Sequence, residues 1–245
     1  MAKTRLDLLL VARGLVDSRT KAQALIMAGL VYSGEQKLDK AGAEFSDDMA
    51  LNVRGKEHPW VSRGGMKLAH ALVHFNIDVK NSIAMDVGSS TGGFTDVLLT
   101  NGATKVYAVD VGTGQLDVKL RNDARVVVME QTNARHLTAE MIADPIDIIV
   151  CDASFISLKK VLPATLALAK QGAQLVALIK PQFEVGKAEV SRGKGVIRDA
   201  ALHRAVCDDI AAWIDQMGWR VAGIETSPIT GPKGNVEFLL YATKI

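Results

Sequence analysis

Residues 85–94 read Met-Asp-Val-Gly-Ser-Ser-Thr-Gly-Gly-Phe and carry the clearest chemistry in the chain. The apolar run at 82–87 predicts a strand, and the run at 94–99 predicts a helix. Glycines and other small residues between them let a backbone approach a ligand closely at the head of a parallel strand. A second strand at 105–109 follows at βαβ spacing and ends in Asp110, whose carboxylate suits the two hydroxyls of a ribose. The pattern predicts a site for an adenosine-containing cofactor. A kinase-type phosphate loop needs a lysine where Phe94 stands, and a dinucleotide fingerprint needs a glycine where Ser90 stands. Two lysines and two carboxylates fall where that site would open. Asp152 ends a strand at 147–151 and Lys180 ends one at 174–179, and active sites of open α/β sheets lie beyond the carboxyl ends of strands. Glu237 lies near the start of the last strand, which runs the opposite way, so its start shares that edge. Lys67 lies on a helix at 64–75, before the first of these strands. A lysine held neutral can accept a proton there.

The elements that must hold these residues alternate. After Trp60, strands are expected at 82–87, 105–109, 125–129, 147–151 and 174–179, with helices between them, one at 157–170 and a long amphipathic one at 199–217. Strands at 219–226 and 236–243 are joined by a short loop with glycine and proline, which requires an antiparallel pair. Five parallel strands and a C-terminal antiparallel hairpin make a seven-stranded, mostly parallel α/β sheet. The stretch 181–198 reads as a long loop, with Lys187, Arg192, Gly193, Lys194, Gly195 and Arg198, placed to act as a lid or an RNA clamp.

The first 54 residues differ in character. A short helix begins near Arg5 and ends at Gly14, and Ser18 caps a second helix at 19–28 that Gly29 ends. A strand at 30–32, a turn at Ser33 and Gly34, and a strand at 49–53 complete a small α+β unit. Residues 55–61 read as a linker, and 62–245 as the larger domain. Through residue 40, seven Lys and Arg stand against four Asp and Glu, although the whole chain of 245 residues has a formal charge of only +2. Any basic surface is therefore local. Clustered cations at a helix start can hold backbone phosphates. No apolar run reaches membrane-spanning length, and the first residues lack the apolar core of a secretory signal, so a cytoplasmic location is expected. Cys151 and Cys207 sit in apolar patterns without a Cys/His cluster, which predicts inert buried thiols and no metal.

The loop pattern Asp-x-Gly-x-x-x-Gly-Gly resembles the S-adenosylmethionine loop of Rossmann-like class I methyltransferases. That resemblance assigns the cofactor to Asp86, Gly88, Ser89, Ser90, Thr91, Gly92, Gly93 and Phe94, with Asp110 and Val111 after the second strand, Asn133 after the third and Asp152 after the fourth. Lys67, Asp152, Lys180 and Glu237, in this order, resemble the catalytic tetrad of FtsJ-like ribose 2′-O-methyltransferases. The tetrad implies Lys180 as general base for the 2′-hydroxyl. Lys67 would favour the neutral form of Lys180 through like charge, and the two carboxylates would orient the lysines while opposing that effect. Adenine N-methylation is disfavoured because Asp152 is followed by Ala153, Ser154 and Phe155, without the prolines of that chemistry. Carbon methylation of a pyrimidine needs a cysteine nucleophile, and Cys151 lies inside a strand.

The N-terminal pattern (Arg5-Leu-Asp, Gly14-Leu, Ser18-Arg19, Ala28-Gly29-Leu-Val and Gly34) resembles the S4-like RNA-binding domain. It implies RNA contacts from Arg5, Arg13, Arg19 and Lys21, with Lys187, Arg192 and Lys194 added by the lid. An S4-like unit joined to an FtsJ-like domain resembles the TlyA/hemolysin A family over nearly the whole chain. The resemblance implies 2′-O-methylation of ribosomal RNA, usually at cytidine, on RNA or assembled subunits. The alternative class is a non-catalytic RNA-binding or membrane-active protein, against which the tetrad argues.

Overall fold

The computed structural model describes every residue except 1, 2, 17, 54–57 and 232, and also leaves out the side chains of Lys187 and Ala188. The expected linker residues 55–57 and the side chain of Lys187 therefore lie outside the described residues. The chain forms two compact units, Met1–Pro59 and Trp60–Ile245.

The smaller unit runs β1 (Lys3–Arg5), α1 (Leu6–Ala12), α2 (Arg19–Met27), β2 (Val31–Ser33), β3 (Gln36–Lys37), β4 (Glu44–Ser46) and β5 (Asn52–Val53). Ser18 caps α2 by accepting from the Lys21 amide. Strand β1 pairs with β4, while β2 lies between β3 and β5. Leu6, Leu10, Val16, Ala22, Ile26, Val31 and Leu38 form its core. Beside that core Asp7 is fully buried, and Arg5, Arg19 and Gln23 all donate to its carboxylate at 2.9–3.1 Å. The Arg5 hydrogen bond leads in holding the Asp7 carboxyl well below the usual carboxylate range, against the opposing effect of burial. Arg13 donates to the Met49 and Asp47 carbonyls.

The larger unit begins with α3 (Gly65–His74), β6 (Ile83–Val87), α4 (Gly93–Thr100), β7 (Lys105–Val109), α5 (Val118–Arg121), β8 (Val126–Met129) and β9 (Ile146–Cys151). It continues with α6 (Leu158–Val161), α7 (Pro163–Ala167), β10 (Ala169–Ile179), α8 (Pro181–Glu184), α9 (Lys187–Arg192), α10 (Ala200–Gln216), β11 (Trp219–Thr226) and β12 (Phe238–Lys244). One seven-stranded sheet has the order β11-β12-β10-β9-β6-β7-β8. Strands β8, β7, β6, β9 and β10 are parallel, and β12 is antiparallel to both β10 and β11. The C-terminal hairpin is thus spread so that its second strand is inserted beside β10 and its first forms the edge. The strand order reverses between β6 and β9, which makes their carboxyl ends the switch point where ligands bind in such sheets. Alternate residues of the strands feed two cores, one on each face: Met85 and Val87 on one side, Ala84, Val106 and Val150 on the other.

In the smaller unit β1, β3 and β4 add to the expected strands and the strand expected at 49–53 is shorter, and in the larger unit three elements differ. The helix expected at 157–170 is two, because Pro163 lacks the amide that would continue the first and begins a new one instead. Strand β10 starts at Ala169, earlier than expected, with a register break before Gln174 where Gly172 takes φ of 75°. The stretch 181–198, expected as a loop, contains the short helices α8 and α9. Trp60 lies in the larger unit and packs on Gly65, where a Cβ would come within 2.5 Å of the indole, and the Val61 amide donates to Asp96. The expected linker, 55–61, thus overlaps that unit.

Candidate active site

The glycine loop follows β6 at the switch point. Gly88 and Gly92 take φ of 80° and 94°, which side-chain-bearing residues resist, and a Cβ on Gly92 would meet Leu120 at 2.3 Å. The next residue, Gly93, opens α4 against α3: a Cβ there would stand 2.3 Å from Ser62 Oγ and 2.9 Å from the Gly65 amide. This close approach brings Lys67, one turn into α3, over the end of the sheet.

Four polar side chains meet there. Lys67 Nζ donates to Glu237 Oε2 at 2.7 Å and to Asp152 Oδ2 at 3.1 Å. Lys180 Nζ pairs with Asp152 Oδ1 at 2.6 Å, and also reaches the Asp152 carbonyl at 3.2 Å and Ser154 Oγ at 2.8 Å. Asp152 is therefore bracketed by two ammonium groups, and two positive charges offset two negative ones. Lys67, Lys180 and Glu237 are buried, while Asp152 retains some exposure. Asp152 directly follows β9, Lys180 directly follows β10 and Glu237 directly precedes β12. Strand direction therefore sets all three at one edge.

Two further residues, not singled out in the sequence, complete the arrangement. Ser154 is the third partner of Lys180. Asn235 accepts from the Ile197 amide and donates to the Gly195 carbonyl, both at 3.0 Å, tying the loop before Glu237 to the segment after α9. The sequence signal for Ser154 was its place two residues beyond a strand-end aspartate. Asn235 had none, because its partners lie far along the chain.

Two adjoining cavities open at this edge, of about 510 and about 1200 Å³. The smaller is lined by the tetrad, Asp86 and much of the glycine loop. The larger is lined by Gly88, Asp110, Val111, Asn133 and Asp152 among others. Gly92 is buried behind the loop against Leu120 and Leu116. Asp110 Oδ2 accepts from the Ser90 amide at 2.8 Å and Oδ1 from the Gly112 amide at 2.7 Å. It thereby shapes the loop, and each oxygen keeps capacity for a further hydrogen bond. Asn133 Oδ1 accepts from the Arg135 amide. Phe155 stands at the mouth, 90% exposed, with φ of 65° and its ring 5.2 Å from that of Phe183.

Asp86 Oδ2 accepts from the Thr95 amide at 2.9 Å and hydroxyl at 2.7 Å, but Oδ1 is buried with no hydrogen-bond partner among the described residues. Burial pushes its carboxyl up to about 7. An orphaned acceptor in the wall of a cavity fits a ligand that brings a cation or a donor. Without one, the unfolded chain ionises this group near pH 4, whereas the fold holds its proton until near 7. Stability is therefore expected to fall as pH rises between those values. Asp86→Asn removes that loss. In urea melts without ligand, the variant should gain on the parent by up to about 4 kcal/mol between pH 4 and pH 8. Parallel pH dependences would refute this.

The remaining predicted residues lie elsewhere. Arg5, Arg13, Arg19 and Lys21 belong to the smaller unit, where Arg5 and Arg19 serve Asp7. Arg192 pairs with Glu189 on α9, and Lys194 is exposed just beyond it. The Cys151 and Cys207 thiols are pushed up to about 12 and about 11 by burial, which suits inert core residues.

Comparison with known proteins bears on both units. Residues 60–244 match the FtsJ-like methyltransferase family, and residues 4–48 match the S4 domain. The 16S/23S rRNA (cytidine-2′-O)-methyltransferase TlyA of Mycobacterium tuberculosis is 48% identical over 98% of this chain and 89% of its own. Hemolysin A of Brachyspira hyodysenteriae is 43% identical over 97% and 98%. A solved structure from Streptococcus thermophilus, described as a hemolysin, is 43% identical and covers 100% of this chain and 89% of its own, with a TM-score of 0.78. An S4 domain, an FtsJ-like methyltransferase and full-length relatives at this identity place the chain in the TlyA/hemolysin A family.

Proposed function

We propose that this protein is an S-adenosylmethionine-dependent methyltransferase that modifies the 2′-hydroxyl of a cytidine ribose in ribosomal RNA. The convergence of two lysines on Asp152 beside the glycine loop carries the reading, in a chain 48% identical to a cytidine-2′-O-methyltransferase. When bound, S-adenosylmethionine supplies an electrophilic sulfonium methyl. The unpartnered Asp86 Oδ1 and the Asp110 carboxylate suit its ammonium and ribose ends.

The residues then divide the work. Lys180 is the candidate base. Its ammonium has three hydrogens and three oxygen partners, so it must first release a proton. Ser154 can go on accepting one of the two hydrogens that the neutral amine keeps, which leaves the amine's single lone pair for the 2′-hydroxyl proton. Lys67, held by Glu237 and Asp152, provides a fixed positive charge for the developing alkoxide. Phe155 offers an exposed ring for the target base, as stacking requires. The S4 unit and the cations on and just beyond α9 supply RNA affinity, in which Arg13, Lys21, Arg192 and Lys194 meet phosphate. The reaction on ribosomal RNA belongs to the cytoplasm. None of the helices among the described residues is long and apolar enough to cross a membrane.

The test is transfer of labelled methyl groups to 30S subunits, 50S subunits and naked ribosomal RNA, with ribose methylation mapped by reverse transcription. A new 2′-O-methylcytidine is expected. Label on a base, on protein or nowhere would overturn the proposal.

A further inference from the structure

On the opposite end of α3 from its glycine start, His70 and His74 lie one turn apart, so both rings face the same way. The rings stack at 5.7 Å between centroids. The edge strand β11 brings Glu225 to them, with His74 Nε2 3.7 Å from Glu225 Oε2. One donor atom from each of the three residues lies within 4.8 Å of the others. A second observation concerns His70 itself. Its Nε2 is shut off from solvent and has no hydrogen-bond partner among the described residues. A buried polar nitrogen without a partner is costly, and an ion that it ligates would relieve that cost.

We propose that His70, His74 and Glu225 form a binding site for one divalent transition-metal ion of the zinc class. Two imidazoles and one carboxylate are a zinc donor set, and helical His-x-x-x-His spacing is a recurrent way to present two of them. A zinc ion holds such donors at about 2.0–2.2 Å, so small side-chain rotations close the observed spacing. Water takes the remaining position. The imidazole pair disfavours magnesium and calcium, which prefer all-oxygen shells. The His74 and Phe75 rings meet edge to face, with 4.7 Å between centroids. Cys151 and Cys207 are buried and do not compete. His203 is engaged with the Ile197 carbonyl.

The site is structural rather than catalytic. Its ligands follow Lys67 on α3 by one to two turns, away from the cavity. It joins the helix that carries Lys67 to β11, whose partner β12 directly follows Glu237. A bound ion would cross-link the helix that carries Lys67 to the strand paired with the one that Glu237 precedes.

The full-length protein, stripped with chelator and desalted, is titrated with zinc chloride by calorimetry and with cobalt chloride by visible absorption. One equivalent of zinc should bind with micromolar or tighter affinity, magnesium should not displace it, and cobalt should give d–d bands. Zinc should raise the melting temperature of the parent. His74→Ala, which removes a largely exposed ring, and Glu225→Gln should each weaken zinc binding at least tenfold and abolish the zinc-dependent rise. Circular dichroism and cofactor binding verify that both variants fold. Absence of saturable zinc uptake would overturn the site, as would unchanged affinity in His74→Ala.

Discussion

Lys180→Ala is expected to abolish methyl transfer while leaving cofactor and RNA binding intact. General-base catalysis contributes about 10²–10⁴ in rate, and the loss of a side chain that also positions Asp152 adds to that. The fold should tolerate the change, since Asp152 keeps Lys67 as a counter-ion at 3.1 Å and no buried charge is stranded. Lys180→Arg should not rescue, because a guanidinium does not release its proton near neutral pH. Single-turnover assays with both substrates saturating test the base role itself. An alanine variant at near-parental rate would leave Lys180 a positioning residue and give the proton to solvent or a carboxylate.

That prediction rests on residues whose positions could be read before any coordinates. The glycine loop and the strands around it are legible because buried parallel strands are short apolar runs and the residues ending them are polar for a reason. Asp152, Lys180 and Glu237 each abut a strand end by one residue, so an error of one residue in a boundary does not move them off the edge. The order of the sheet is harder to read. Nothing local in residues 219–243 says that β12 enters beside β10 and leaves β11 at the edge; that follows from which faces remain to be covered. Strands β1, β3 and β4, of two or three residues, are too short to show alternation. His70, His74 and Glu225 are invisible as a group, because one of the three comes from a strand far along the chain. The pairing of Arg5 and Arg19 with Asp7 is hard to read for a related reason. A count of charges treats every cation as available to a partner, and an aspartate among leucines in a short helix reads as solvated. Asp7 is instead fully buried and takes both guanidinium groups.

The burial of Asp7 changes how RNA binding should be dissected. Replacing Arg5, Arg19 and Lys21 together would mix lost phosphate contacts with a stranded buried carboxylate, so a weakened variant would not distinguish the two. Asp7→Ala separates them, because it leaves every cation in place. Three donors lose their common acceptor. Arg5 and Arg19 are partly exposed and water can reach them, so the cost should be nearer that of charged hydrogen bonds, about 1.5–3 kcal/mol, than the larger cost of stranding a buried charge. In a unit of this size that is a large share of the total stability. The folded-state carboxyl ionises well below its unfolded value. Its stabilising contribution is therefore present above about pH 4 and is lost only as pH falls through the lower value. Asp7→Ala should thus destabilise the unit at neutral pH and lose its effect in strong acid. Limited proteolysis should cut within residues 1–59, RNA affinity should fall and cofactor affinity should hold. Lys21→Ala, which leaves the Arg5, Arg19 and Gln23 bonds to Asp7 in place, should instead reduce the salt dependence of RNA binding. An Asp7→Ala protein with parental RNA affinity and a protease-resistant N-terminal unit would show that the buried carboxylate does not hold the unit together.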